Sequence, residues 1–403
     1  MNLKQFHIIF DVVIVIFMIV VVVSLISDRD TSYYKDAQKA FYKAEREAGS
    51  KEIDDPDELY KISGLYRKVF EEYPDSRWAD DAMYRLASKI EPTEEEAIIL
   101  YRRLIREYPD SEYVDEALYT VGMGHYNKGA FESAIKEFGD VVATYPNSPL
   151  AEKSFFNVAM CRYGMEKWDQ ASVEFQDFIT RFPQSDLVDD AKTYRGIIEI
   201  NKGDYETGIE IFQSVLEEYP VSDSADDAQF NLASAYFEQG EFEKARNGFE
   251  KLMTEYPGSE FMEESQLMIG STYEKQDKDQ EAIAALQKAI MDYPDGTYAG
   301  KVETYIAEIH LKSDNMSEAI STYQKIADNT KYDYDTRKNA QYQVGKIYEL
   351  QDNNAKAIEA YTKLIENFPE PMSTPDAEPD TVDKAYILNL QQKIPTQPDS
   401  NSA

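Results

Sequence analysis

Three histidines are the side chains best suited to metal binding, and their spacing argues against a metal centre. His125 and His310 lie 185 residues apart, which is five periods of a 37-residue repeat, and His7 lies near the N-terminus. The sequence has no His-Glu-x-x-His motif, no Cys/His cluster and no Gly-rich phosphate loop. We therefore expect neither a metal site nor a cofactor.

Nucleophilic and acid–base chemistry has no better support in the sequence. Cys161 is the only cysteine, and its place in a helical pattern near Met160 and Tyr163 is typical of a small buried hydrophobe. Pairs of carboxylates are frequent, but a chain with 76 Asp and Glu residues contains them by chance. The sequence therefore predicts a protein that is not an enzyme, with no catalytic residue and no small-molecule substrate.

The charge of the chain points to the kind of partner it can bind. Lys and Arg total 42 against 76 Asp and Glu, which gives a formal net charge of -34. Such a field repels phosphate backbones, so we expect no nucleic-acid binding. It favours protein partners with extended segments of basic or mixed charge.

An aromatic residue followed by proline divides the chain at regular intervals. The eight marks are Tyr73-Pro74, Tyr108-Pro109, Tyr145-Pro146, Phe182-Pro183, Tyr219-Pro220, Tyr256-Pro257, Tyr293-Pro294 and Phe368-Pro369. The prolines are 35, 37, 37, 37, 37, 37 and 75 residues apart, so one mark is missing near Lys331. A fixed period of this size predicts an array of stacked supersecondary units.

Each period contains two helical patterns separated by a break. In residues 112–146 the first pattern ends at Lys128-Gly129, and the second runs from Phe131 until Pro146 stops it. Small residues form a column in the first helix: Ala87, Gly122, Ala159, Gly196, Ala233, Gly270, Ala307 and Gly345. Ala134 and its equivalents form a second column, each followed four residues on by a bulky side chain such as Phe138. The columns predict close approach of two antiparallel helices.

The junctions between periods carry a serine two residues after the early prolines and an acid four residues after the serine. The serines are Ser76, Ser111, Ser148, Ser185, Ser222 and Ser259, and the acids are Asp80, Asp115, Glu152, Asp189, Asp226 and Glu263. Serine is a favoured N-cap, and an acid in the first turn suits the helix dipole. We therefore expect these residues to start the next helix.

These spacings resemble the tetratricopeptide repeat (TPR). The matching residues in one period are Leu118, Val121, Gly122, Phe131, Ala134, Phe138 and Pro146. The longer junction is similar to a bacterial envelope type: BamD-like lipoproteins, Tol-Pal-associated (YbgF/CpoB-like) proteins and YfgM-like proteins. The chain departs from the BamD type in having more repeats and no cysteine after an N-terminal leader. The resemblance implies an all-α fold, a right-handed α-solenoid of about nine helix-turn-helix units over residues 32–369.

In this family the first helix of each unit lines the concave surface that binds protein. Carried over, the resemblance implies these binding residues: Tyr119, Tyr126, Phe156, Asn157, Tyr163, Tyr194, Phe230, Asn231, Phe237, Tyr305 and Tyr342. The acids Asp190, Asp227 and Glu274 interleave with them, which suits an extended basic or mixed-charge segment. The alternative is that the same aromatic side chains only pack between helices.

The N-terminus predicts a membrane segment. Residues 8–26 are almost wholly apolar, and nineteen helical residues span about 28 Å, close to the thickness of a bilayer core. We interpret residues 8–27 as a transmembrane signal anchor, with residues 1–7 in the cytoplasm and the repeats in the periplasm. A cleavable signal peptide is the alternative.

The C-terminal residues 370–403 form an acidic tail rich in Pro and Ser, which predicts disorder. Within the tail, residues 381–394 are amphipathic and would cap the last repeat or bind a partner. The sequence thus predicts a membrane-anchored extracytoplasmic TPR scaffold for protein–protein interactions in envelope assembly or secretion. The alternative is a soluble periplasmic chaperone-like client binder released by signal-peptide cleavage.

Overall fold

The structure is a computed structural model that describes residues 31–49, 55–90, 93–368, 389–390 and 392. Across these residues the chain forms α-helices and no β-strand, which confirms the predicted all-α class. The helices are α1 31–49, α2 Pro56–Glu72, α3 Ala79–Arg85, α4 Glu94–Glu107, α5 Val114–Asn127, α6 Phe131–Thr144, α7 Ala151–Gly164, α8 Trp168–Arg181, α9 Val188–Asn201, α10 Tyr205–Glu218, α11 Ala225–Glu238, α12 Phe242–Glu255, α13 Met262–Glu274, α14 Asp279–Asp292, α15 Ala299–Lys312, α16 Met316–Asp328, α17 Tyr334–Leu350 and α18 Asn354–Asn367.

The helices pair in chain order into hairpins, such as α5 with α6 and α17 with α18, and successive hairpins such as α5–α6 and α7–α8, or α11–α12 and α13–α14, pack on each other. The chain divides into two compact units, an N-terminal unit at Met1–Ala191 and a C-terminal unit at Lys192–Ala403. In the N-terminal unit α3 runs directly into a π-helical turn, Leu86–Ile90. The second repeat, which contains this turn, is two residues shorter than most of the others.

The predicted column of small residues in the first helix of each hairpin lies under a bulky side chain of the second helix. A Cβ on Gly122 would lie 2.7 Å from Phe138, and one on Gly345 would lie 2.3 Å from Tyr361. The bulky residue therefore packs across the hairpin on the first helix, as well as near the small residue of its own helix. Phe138 and Tyr361 are both fully buried.

The prediction that the junction serines cap the following helix is wrong. Helix α7 begins at Ala151, its N-cap is Leu150, and the cap makes no side-chain hydrogen bond. Ser148 instead accepts from the amide of Leu150 at 3.0 Å and donates to Asp115 Oδ2 at 2.5 Å. Because Asp115 belongs to the preceding repeat, the serine and the acid fasten two successive repeats together.

The predicted localisation, a single-pass membrane protein with a cytoplasmic N-terminus, is contradicted. Among the helices that the structure describes, none is both long enough and apolar enough to cross a membrane. Each of these helices carries polar or charged side chains on the side that faces away from its neighbours, whereas a span needs about 20 predominantly apolar residues. The expected span at residues 8–27 lies outside the described residues.

The tail contributes one described side chain to the last hairpin. Leu390 lies on a helical segment, is only 2% exposed, and packs in one cluster with Tyr361, Leu364 and Phe368. A contact of this kind is what a capping segment would make, because such a segment covers the apolar face of a hairpin. Residues 369–388 lie outside the described part of the chain, so the limits of the expected 381–394 helix stay a prediction.

Candidate protein-binding surface

The residues predicted to bind protein all lie on the first helix of a hairpin. They are Tyr119 and Tyr126 on α5, Phe156, Asn157 and Tyr163 on α7, Tyr194 on α9, Phe230, Asn231 and Phe237 on α11, Tyr305 on α15 and Tyr342 on α17. All of them except Phe156 are half-buried. Each half-buried side chain therefore combines packing within the array with some contact to solvent.

In the N-terminal unit the structure brings α5 and α7 together on one face. Asn157 Nδ2 donates to Tyr119 Oη at 3.3 Å and also lies 3.4 Å from Met123 Sδ. The Tyr119 ring contacts Phe138 of its own hairpin, with 5.6 Å between ring centroids. The Asn157 side chain thus links the two helices and leaves the partly exposed edge of the Tyr119 ring beside it.

Two further tyrosines, Tyr126 and Tyr163, lie near the C-terminal ends of α5 and α7. The Tyr126 ring lies 5.6 Å from Phe131, and the Tyr163 ring lies 5.3 Å from Trp168, both in edge-on contact. Burial is the main cause that raises the pKa of both phenols above the ordinary value. The two rings are held by the second helix of each hairpin, which fixes their orientation.

Phe156 does not belong to this face, which corrects the prediction. It is 9% exposed, and its ring lies 5.4 Å from Phe175 and 5.5 Å from Phe178. The hairpin α7–α8 is unusually rich in phenylalanine, and this cluster draws Phe156 inward although Tyr119 at the same repeat position stays half-buried. Phe156 is therefore a core residue.

In the C-terminal unit the predicted side chains also take part in packing. Phe230 stacks on Phe261 at 4.5 Å, and Phe237 lies edge-on to Phe242 at 5.6 Å. Asn231 Nδ2 donates to the Asp227 carbonyl one turn back at 2.8 Å. Tyr194, Tyr305 and Tyr342 remain half-buried on their own helices.

Part of the predicted acidic character is neutralised within the C-terminal unit. Lys312 Nζ lies 2.7 Å from Glu274 Oε1 and 3.1 Å from Asp277 Oδ1, and the Tyr305 hydroxyl donates to Glu274 at 3.4 Å. The hydrogen bond from Lys312 is the main cause that holds the pKa of Glu274 below its ordinary value. A basic partner would therefore compete with Lys312 at this point.

One residue of this surface was missed at the sequence level. Tyr84 stacks on Tyr113 at 4.0 Å, and the two hydroxyls donate to Glu116 and Asp81 respectively, at 2.8 and 2.7 Å. Tyr84 precedes Ala87 by three residues, as Tyr119 precedes Gly122. That shared position is the signal that would have identified it.

Neither the cysteine nor the metal-ligating side chains among the described residues form a reactive site. Cys161 is fully buried, and burial raises the pKa of its thiol to about 12, which fits the predicted buried hydrophobe. Over the described ranges no group of three or more His, Cys, Asp and Glu side chains is arranged to hold a metal ion. The surface therefore offers aromatic edges, an amide and carboxylates to a ligand.

Two families of known sequences match the chain. The family model YfiO, described as outer membrane lipoprotein, matches residues 114–198 and 188–325, which together cover more than half of the chain. A TPR model matches residues 81–111 and 339–371. The predicted resemblance to BamD-like TPR proteins is confirmed. No curated protein sequence matches the chain.

Solved structures of TPR proteins resemble the chain in fold. A TPR protein from Parabacteroides merdae is 15% identical, covers 69% of this chain and 97% of its own, and has a TM-score of 0.44. The C-terminal part of a TPR repeat-containing protein from Cytophaga hutchinsonii is 17% identical, covers 63% and 96%, and has a TM-score of 0.47.

The family bears on function and on the corrected localisation. TPR and BamD-like proteins are scaffolds that bind protein partners rather than enzymes. The description of the matching family is that of a lipoprotein, which differs from the predicted single-pass membrane protein. By its sequence match and its helix hairpins, the chain belongs to the YfiO family of TPR-containing proteins.

Proposed function

We propose that this protein is an envelope scaffold that binds extended polypeptide segments on the first-helix face of its hairpins. The observation that supports it most is the contact between Asn157 and Tyr119, because it joins partly exposed side chains of two successive hairpins into one surface. An extended segment can lie across such a surface and use aromatic edges as anchors.

The charge of the ligand follows from the surroundings of this face. The chain carries a net charge of -34, and acids such as Asp190 and Asp227 lie on the same helices, α9 and α11, as aromatic residues of the face. A segment with Lys or Arg residues would gain long-range attraction, which would raise the association rate at low salt. An envelope role is supported by the description of the matching family.

Site-specific photocrosslinking in cells tests the proposed surface. Benzoylphenylalanine at Tyr119 in the N-terminal unit and at Phe237 in the C-terminal unit should capture partner proteins. The matched control is the same probe at Lys136, which is exposed on the second helix α6. Equal capture at all three positions, or none at Tyr119 and Phe237, would rule the surface out.

The identities of the captured proteins separate the scaffold from a client binder. A small defined set of envelope proteins would support the scaffold. A broad mixture of unrelated unfolded proteins would favour the chaperone-like alternative. A Tyr119→Ala and Asn157→Ala double variant without a probe should no longer copurify the proteins that the Tyr119 probe captures. Its melting temperature should stay within a few degrees of the wild-type value, because both side chains are only half-buried.

A further inference from the structure

Two junctions between repeats share a polar contact that the first junction lacks. In the N-terminal unit Ser148 donates to Asp115, and Ser185 donates to Glu152, each acid lying 33 residues earlier in the preceding repeat. Each serine hydroxyl also accepts from the amide two residues on, in Leu150 and Leu187. At these junctions a carboxylate from the preceding repeat is the natural partner of the serine.

The first junction has the serine without the carboxylate. Ser76 is 5% exposed, and its hydroxyl has no hydrogen-bond partner. Helix α1 presents the Tyr33 hydroxyl to this junction instead, where it accepts from the amide of Asp75 at 3.2 Å. A buried hydroxyl without a partner costs about 1–3 kcal/mol, so such a group is worth explaining.

A second buried hydroxyl at the same place also lacks a partner. Tyr108 ends the second repeat, and its Oη is buried without a hydrogen bond. At a later junction of the C-terminal unit, the equivalent Tyr256 donates to the carbonyl of Pro220 at 3.3 Å. Burial is the main cause that raises the pKa of Tyr108 to about 12, so this phenol is a donor at neutral pH.

Ser76 and Tyr108 both line one groove of about 590 Å³ in the N-terminal unit, with their hydroxyl oxygens buried beneath its surface. Tyr34 of α1, which is 44% exposed, and Pro74 form its apolar walls. The groove lies at the junction edge, and none of its lining residues belongs to the predicted binding face. It is therefore a separate feature from the first-helix surface.

Among the residues that line the groove, Arg77 is the cation and Asp75 and Glu107 are the acids. The Arg77 guanidinium lies 4.6 Å over the Trp78 ring, which fixes its plane and leaves its edge N–H groups for a ligand. Burial would raise the pKa of Glu107, but hydrogen bonds from Arg106 and Arg103 hold it below the ordinary value. Arg103 and Arg106 therefore neutralise the Glu107 carboxylate at the rim of the groove.

We propose that this groove binds a carboxylate of a partner polypeptide, supplied by an Asp or Glu side chain. The Ser76 and Tyr108 hydroxyls would donate to it, as Ser148 donates to Asp115, and Arg77 would balance its charge. A neighbouring apolar side chain of the partner would pack on Tyr34 and Pro74. The partner thereby takes the place that Asp115 holds beside Ser148 and Glu152 holds beside Ser185.

The test uses full-length protein and a labelled peptide, acetyl-Ala-Leu-Glu-Leu-Ala-amide, whose leucines can pack on the groove walls. Fluorescence anisotropy should show binding of this peptide and not of the same peptide with Gln in place of Glu. Ser76→Ala and Tyr108→Phe should each weaken binding about tenfold, since each removes a hydrogen bond to a charged group. Equal affinity for the Glu and Gln peptides, or no binding of either, would overturn the proposal.

Two further variants keep the test sharp. Asp75→Asn removes the unneutralised acid of the rim and should tighten binding about two- to threefold. Ser133→Ala, an exposed serine on α6, is the matched control and should leave binding unchanged. Ser76→Ala should fold normally because the hydroxyl has no partner to lose, so unchanged binding in that variant would also overturn the proposal.

Discussion

One buried position, four residues before the small residue of the first helix, differs between the two units. In α3 and α5 of the N-terminal unit it holds Met83 and Leu118, both buried in the apolar core. In α11, α13, α15 and α17 of the C-terminal unit it holds polar residues that are at most 2% exposed, namely Gln229, Gln266, Glu303 and Gln341. The same fold therefore uses two kinds of core at one place.

The buried polar side chains of the C-terminal unit are tolerated because each of them has a specific hydrogen-bond or ion-pair partner. Gln229 and Gln341 donate through Nε2 to carbonyls 19 residues later, Gly248 and Ala360, each at 3.0 Å. Glu303 pairs with Lys325 instead. A partnered polar group defines one register between two helices, whereas an apolar group only fills space. The comparison suggests that the C-terminal hairpins gain specificity at some cost in stability.

The largest expected loss of stability comes from breaking the ion pair between Glu303 and Lys325. Lys325→Met would leave the Glu303 carboxylate buried without its cation and should destabilise the protein by about 3 kcal/mol. Burial, followed by the charge of Glu303 and a hydrogen bond to it, raises the pKa of Tyr332 to about 12. Urea unfolding, with hydrogen exchange of α15 and α16 to localise the change, measures the loss.

A second change should repair that loss. Glu303→Gln in the Lys325→Met background recreates the glutamine of the neighbouring repeats, whose amide reaches a helix carbonyl. We expect it to recover most of the lost stability because no buried charge remains. If the double variant were as unstable as Lys325→Met alone, the ionic and amide versions would not be interchangeable.

The next largest loss of stability should come from placing a glutamine at the same buried position of the N-terminal unit. Leu118→Gln would exchange a buried leucine for an amide and should cost about 2 kcal/mol, measured by urea unfolding. The reverse change, Gln229→Leu, should cost little, because Gln229 Oε1 is already buried without a partner. Equal costs for the two changes would mean that the units do not differ in what this position accepts.

The sequence predicts those features of the fold that recur at the 37-residue period of the repeat. The spacing of Gly122 and Phe138 identifies a close helix pair because both columns recur every 37 residues. The burial of Phe156 depends on Phe175 and Phe178 on another helix, which a position on α7 alone does not reveal. The local sequence predicts a helix cap at Ser148 because it does not reveal the contact with Asp115, which lies 33 residues earlier in the preceding repeat.

The junction serines give a smaller effect within one unit. Ser148→Ala removes a hydrogen bond to the Asp115 carboxylate and one from the Leu150 amide, and should cost about 1.5 kcal/mol. Ser76→Ala removes a hydroxyl without a partner and should cost nothing. Thermal melting of the two variants measures the contrast, and equal losses would mean that the Ser148 contact adds no stability.

The smallest effect is a pH response of opposite sign in two carboxylates. In the N-terminal unit, burial raises the pKa of Glu174 although Arg162 lies 3.4 Å away; in the C-terminal unit, the hydrogen bond from Lys312 lowers that of Glu274. A lowered pKa contributes stability above the unfolded value of 4.5, and that contribution is lost as the pH falls. A raised pKa costs stability at neutral pH, and the cost is relieved as the folded state binds its proton.

The two carboxylates should therefore respond differently to the loss of their charge. At pH about 7, Glu274→Gln should lower the urea midpoint and Glu174→Gln should leave it unchanged or raise it, each by less than about 1 kcal/mol in unfolding free energy. At pH about 4 the two differences should shrink, since the wild-type carboxylates are then largely protonated in the unfolded chain. Parallel shifts of both variants at the two pH values would show that Arg162 holds Glu174 as firmly as Lys312 holds Glu274.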